Sequence, residues 1–100
     1  MNPMSDVVLL PKWVMRRYLV LWTNLKSREF GFEDALRILS KLPKPDDKKV
    51  VALFLSELRK AGWLDVKFDP EDARRRIYKL QPYEKIFEKV VSENSRGESQ

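Results

Sequence analysis

The 100-residue chain contains neither cysteine nor histidine. Without cysteine there is no disulfide framework, no thiolate zinc site and no cysteine nucleophile. Without histidine the commonest general base near neutral pH is missing. Nor do the carboxylates show a clustered spacing that suits an all-oxygen metal site. Asp69, Glu71 and Asp72 share one turn, but the arginines beside them make charge pairing the better reading. These absences remove most routes to catalysis, so the chain is read as a non-enzyme with no metal and no cofactor. Long apolar runs are also missing. Lys12, Arg16 and Arg17 interrupt one apolar stretch, and Glu57 and Arg59 another, well short of the about 20 residues of a membrane span. Met1-Asn2-Pro3-Met4-Ser5-Asp6 lacks the basic region and cleavage site of a signal peptide. The expectation is a cytoplasmic protein with no membrane partner.

What remains is enough for one domain. Residues 1–93 are expected to form it, and the polar residues 94–100 a disordered tail. Twenty Lys and Arg against fifteen Asp and Glu give a formal charge of +5. That balance favours anionic partners, nucleic acid first. The same richness in Lys, Arg and Glu also suits stable proteins of hot environments, so the placement of the charge matters more than its sum.

Apolar spacing predicts the elements. Val14, Tyr18, Leu21, Trp22 and Leu25 share one face of a helix over about residues 11–26, with Pro11 in its first turn. Glu29-Phe30 reads as a minimal strand. A second helix is expected over residues 32–42, with Ala35, Leu36, Leu39 and Leu42 inward. Glu33 and Asp34 suit the dipole at its start, and Pro43 and Pro45 stop it. A third helix is expected from Asp46, as N-cap, to about Ala61, burying Val51, Phe54, Leu55 and Leu58. Gly62 stands where a left-handed cap belongs. The period then changes from helical to alternating. Leu64, Val66 and Phe68 share one side of a strand, and residues 69–72 make a turn. Residues 74–80 return with Tyr78 and Leu80 inward. Gln81-Pro82 opens a last helix with Tyr83, Ile86, Phe87 and Val90 on one face.

Three helices, a two-stranded hairpin and a C-terminal helix give a mainly α fold of the winged helix-turn-helix type. In that arrangement the third helix can enter the major groove of DNA and the hairpin can follow the backbone or enter the minor groove. Lys48, Lys49, Ala52 and Ser56 lie on the outward side of the third helix and are the candidates to read or flank bases, although a solvated helix face also carries charges. Arg74, Arg75 and Arg76 are the candidate wing contacts. Alternation turns Arg75 away from the core face, and Arg74 and Arg76 toward its rim. Arginine gains from the potential of a narrow minor groove. The bland alternative is a hairpin neutralised by its own acidic turn. Lys12, Arg16 and Arg17 are candidate phosphate contacts from the first helix. Trp13, Phe54 and Trp63 can line a pocket but are better read as core. Tyr83, Ile86, Phe87 and Val90 are candidates for a homodimer interface, with the first helix as another.

Leu55-Ser56-Glu57-Leu58-Arg59-Lys60-Ala61-Gly62-Trp63-Leu64 looks like the end of a recognition helix in bacterial and archaeal winged-helix regulators. Asp69-Pro70-Glu71-Asp72-Ala73-Arg74, followed by Ile77-Tyr78-Lys79-Leu80, resembles the wing of the MarR family. The resemblance implies that Asp72 orients Arg74 and that Arg74 reaches the minor groove. MarR proteins are longer, with extra helices at both ends that build a dimer and a ligand pocket, so effector binding is not carried over. The segment from Leu10 to Tyr18 and the Leu58–Leu64 run also resemble small archaeal winged-helix proteins. Some of these are associated with nucleotidyltransferase domains in toxin–antitoxin-like pairs. The leading expectation is therefore a sequence-specific binder of double-stranded DNA acting in transcriptional regulation. The alternative is a winged module that binds a protein partner, such as an antitoxin-like partner of a nucleotidyltransferase. The paired aromatic strand motif of common RNA modules is missing.

Overall fold

The computed structural model describes residues 10–88; Val90 and the expected tail lie outside them. Helix α1 spans Lys12–Leu25 and buries Val14, Tyr18, Leu21 and Leu25 of the predicted stripe, with Trp22 half-buried. Pro11 is its cap rather than its first helical residue; its carbonyl accepts the Val14 and Met15 N–H groups at 3.1 and 2.9 Å. Helix α2 spans Phe32–Leu39 and helix α3 Lys48–Lys60. Strands β1 (Leu64–Asp69) and β2 (Asp72–Leu80) pair antiparallel. Residues 83–88 are helical. The predicted winged helix-turn-helix architecture is present.

The three helices enclose one core. Tyr18, Phe54, Leu21, Leu39 and Leu58 are its largest fully buried side chains. Tyr18 stands edge-on to Trp63, with ring centroids 4.9 Å apart, and its hydroxyl donates to the Gln81 carbonyl at 2.6 Å. Burial pushes this phenol up to about 12. Phe54 and Trp63 belong to this core and line neither of the two clefts beside the wing.

Helix α3 ends on Gly62, whose φ of 86° is open to glycine at little cost. The Gly62 and Trp63 N–H groups then donate to the Arg59 and Leu58 carbonyls at 3.1 and 2.9 Å. This double closure satisfies the last turn and swings the chain directly into β1. Among the described residues one isolated backbone bridge ties the hairpin to the segment between α1 and α2. Phe30 and Tyr78 exchange both backbone hydrogen bonds, at 2.9 and 2.8 Å, which makes Phe30 the expected minimal strand.

Four expectations are corrected. Helix α2 stops at Leu39, not Leu42, because the two prolines that follow cannot continue it. The freed Leu39 carbonyl instead accepts the Asp46 N–H at 3.3 Å. Asp46 is not the cap of α3. Asp47 takes that role, accepting the Val50 N–H at 3.0 Å. Asp46 turns inward and receives both Nε and Nη2 of Arg17, at 2.7 and 2.8 Å. Strand β2 begins at Asp72 rather than Arg74, with a register irregularity opposite Phe68 and Asp69. Finally, Phe68 faces solvent although it alternates with the inward Leu64, because burial fades along β1 as the hairpin leaves the core.

Asp46→Ala should destabilise the fold by about 2–4 kcal/mol, because it strands a guanidinium that keeps only 21% of its side chain exposed. Asp47→Ala should cost about 1 kcal/mol, the usual worth of a cap. Urea denaturation of both variants tests this. Equal losses would mean that Asp46 acts as no more than a second cap.

Candidate nucleic-acid interface

Helix α3 breaks a local rule at its start. The N-terminus of a helix carries a partial positive charge that favours acidic neighbours. Helix α2 obeys, with Glu33 and Asp34 in its first turn. Helix α3 has no acidic residue there and begins with Lys48 and Lys49 instead. Both lysines are exposed, and among the described residues neither has a carboxylate within ion-pair distance. Only the Asp47 cap offsets them. Ala52 and Ser56 continue the exposed side of the helix, toward the wing.

The three wing arginines diverge. Arg74 projects into solvent, with 94% of its side chain exposed. Asp72 accepts the Arg74 backbone N–H at 3.1 Å, and its carboxylate lies 3.6 Å from Arg74 Nε. An exposed pair at that separation fixes little, so Arg74 remains available. Arg75 folds toward α2, where its guanidinium lies against Gly31 near Asp34. The Gly31 N–H holds the Asp34 carboxyl below its ordinary value, and Arg37 and Arg75 add to the effect. Arg76 stands over the Phe68 ring, 5.9 Å from its centroid.

Two clefts connect these groups. One of about 250 Å³ separates α3 from the wing, with Ala52, Ser56 and Arg59 on one wall and Val66 and Arg76 on the other. A more open one of about 760 Å³ runs from the start of α2 to Arg74, Arg75 and Arg76. Arg59 was not among the candidate site residues, yet it lies one turn beyond Ser56 on the same side, a spacing visible in the sequence. Arg59 and Arg76 make no ion pair among the described residues, so the narrower cleft is flanked by two available guanidiniums.

The other candidates lie elsewhere. Arg17 is committed to Asp46, and its Nη1 donates to the Trp13 carbonyl at 2.9 Å, so it is not free for a phosphate. Lys12 and Arg16 are exposed on α1 but line neither cleft. Ile86 is buried in the chain's own core and cannot be shared with a partner. Tyr83 and Phe87 are exposed, and Tyr83 packs edge-on against Trp22 of α1 with centroids 6.2 Å apart. Among the described residues no group of three or more acidic side chains is arranged to hold a metal ion, and no helix is long and apolar enough to cross a membrane.

Three packed helices with a hairpin folded back beside the third define a winged helix-turn-helix protein. The same fold is found in the solved structure of Bordetella bronchiseptica BpsR, whose DNA binding is regulated by 6-hydroxynicotinic acid. The two chains are 19% identical with a TM-score of 0.57, over 95% of this chain and 64% of that one. This chain therefore spans less than two thirds of the BpsR chain, and at this identity the likeness concerns the fold. No protein-family model and no curated protein matches the sequence.

The lysines at the start of α3 should be held at a cost to stability. Lys48→Glu is expected to raise stability by about 0.3–1 kcal/mol, through the helix dipole. Thermal denaturation at low ionic strength checks this; a lower melting temperature would show that the dipole does not oppose Lys48.

Proposed function

We propose that this chain binds double-stranded DNA in a sequence-specific manner and acts in transcriptional regulation. The observation that carries the reading is the pair Lys48 and Lys49 at the start of α3, exposed and without an ion pair among the described residues, together with a wing that carries three arginines. Two lysines set against the helix dipole carry a small cost to stability, which contacts with a phosphate-rich partner would offset. Lys48, Lys49, Ala52 and Ser56 would meet or flank base edges in the major groove. Arg74 would reach the minor groove, oriented through its backbone by Asp72. Arg59 and Arg76 would hold the phosphodiester backbone where it crosses the cleft between helix and wing. Those backbone contacts supply affinity and register but no sequence information. Lys12 and Arg16 can add phosphate contacts only if the duplex extends along α1. Like BpsR, the chain would be a DNA-binding protein; whether a small molecule controls it is a separate matter.

We further propose a homodimer, which matches two-fold symmetric sites. The apolar residues offered for it are Tyr83 and Phe87, with Trp22 of α1 packed against Tyr83; Val90 lies outside the described residues. A second reading is favoured by that same patch: a winged module whose main partner is another protein, such as the antitoxin-like partner of a nucleotidyltransferase.

Selection from a pool of random duplexes, with anisotropy titrations at two salt concentrations, is the deciding experiment. The expected result is a recovered motif and a steep loss of affinity with salt. Lys49→Ala and Arg74→Ala should each weaken binding by about 1–3 kcal/mol where the residue contacts a base. Unchanged binding in both variants would remove these assignments, and no binding at low salt would favour the protein-partner reading.

Sedimentation at about 50 micromolar should show a dimer that Phe87→Glu returns to monomer. A wild-type chain that sediments only as monomer would exclude the homodimer.

A further inference from the structure

Phe68 has no explanation in the fold. It is 61% exposed, and it belongs neither to the buried core nor to the partly buried apolar residues packed around it. Its neighbours define what can meet it. Lys67, on the opposite face of β1, is held by Glu29 at 2.8 Å. Arg76 is the cross-strand partner of Phe68 and sets its guanidinium over the ring. Arg74 and Arg75 follow Arg76 toward the tip, and all three are exposed. The ring therefore lies beside the arginines of β2, with the carboxylates of Asp69, Glu71 and Asp72 beyond it at the tip. An apolar protein groove would have to desolvate those guanidiniums to receive it. Duplex DNA would instead pair those guanidiniums with its phosphates, and a base step opened from the minor groove offers the ring apolar base faces.

We propose that Phe68 is a wedge that the wing presses into the minor groove, opening a base step and bending the duplex. The proposal rests on the DNA-binding reading above and adds a mechanical consequence to it. Arg76 would steady the ring from one side while it faces the cleft wall nearest the phosphates of the crossing backbone. Apolar side chains that enter between base steps in this way kink DNA toward the major groove. Pyrimidine–purine steps such as TA yield most easily, so the wedge would also select for a flexible step where the wing lands.

The test uses the full chain and a duplex of about 30 base pairs with a central TA step, labelled at its ends with a donor and an acceptor. Anisotropy reports binding and energy transfer reports bending. The wild-type chain should raise the transfer by an amount that corresponds to a bend of about 20–90°. Phe68→Ala should still bind, within about tenfold, but leave the transfer at the value of free DNA. Phe68→Leu keeps an apolar wedge and should retain part of the bend. A stiff A-tract in place of the TA step should bend less. Circular dichroism of the variants guards against misfolding, which is not expected for a side chain outside the core.

Binding by the wild type with no change in transfer would overturn the wedge while leaving DNA binding intact. So would a Phe68→Ala variant that bends the duplex as the wild type does. Tighter, Phe68-dependent binding of a single-stranded oligonucleotide would reassign the ring to base stacking and overturn the wedge as well. No anisotropy change with duplex DNA would remove the DNA reading itself, and the wedge with it.

Discussion

The bridge between Arg17 and Asp46 is the constraint on which the placement of α3 depends. It joins the middle of α1 to the residue just before the cap of α3, across 29 positions of sequence. Two parallel hydrogen bonds fix both distance and direction, which a single lysine contact would not do. The Asp46 N–H is meanwhile taken by the Leu39 carbonyl at the end of α2. One residue thus ties together all three helices. The adjoining Asp47 can then cap α3 in a defined orientation, and Lys48 and Lys49 emerge on the solvent side. Such a bridge adds modestly to stability, since both charges lose water to form it; its larger effect is on geometry.

From there the remainder of the molecule follows in order. The left-handed turn at Gly62 ends α3 and aims β1 back along it. Trp63 locks against Tyr18 in the core, so the base of the hairpin is as firmly held as the helices. Beyond Tyr78 and its bridge to Phe30, packing gives way to charge. The arginines of β2 project into water with few internal partners, and the one large apolar side chain among them is exposed. Function is thus assigned to the part of the fold that the core does not stabilise.

The sequence made the scaffold legible because periodicity and punctuation agreed. The stripe from Val14 to Leu25, the glycine at 62 and the alternation of Tyr78 with Leu80 each had one plausible structure, and each formed it. The two adjacent aspartates were not separable in this way. Asp46 and Asp47 have equal capping chemistry, and only the arrival of Arg17 from a distant helix decides which one turns inward. Phe68 failed for a related reason. Alternation reports which face a residue occupies, but not how far the core extends along the strand. For the candidate interface, the residue types were readable, while their division was not. Alternation separates Arg75 from Arg74 and Arg76, but it does not tell that Arg74 projects, that Arg75 lies against Gly31 and that Arg76 stands over Phe68.

The backbone bridge at Tyr78, with the Lys67–Glu29 ion pair one residue nearer the tip, leaves the end of the wing as a short lever. The turn at Pro70 lies four residues beyond Val66, the partner of Tyr78, an arm of about 13 Å at about 3.3 Å per residue. A pivot of some ten degrees about that fulcrum carries the tip roughly 2 Å, while α3 stays fixed by its own bridge to α1. Such a pivot would adjust the distance between wing tip and α3, so the span offered to the proposed DNA partner would not be a fixed length.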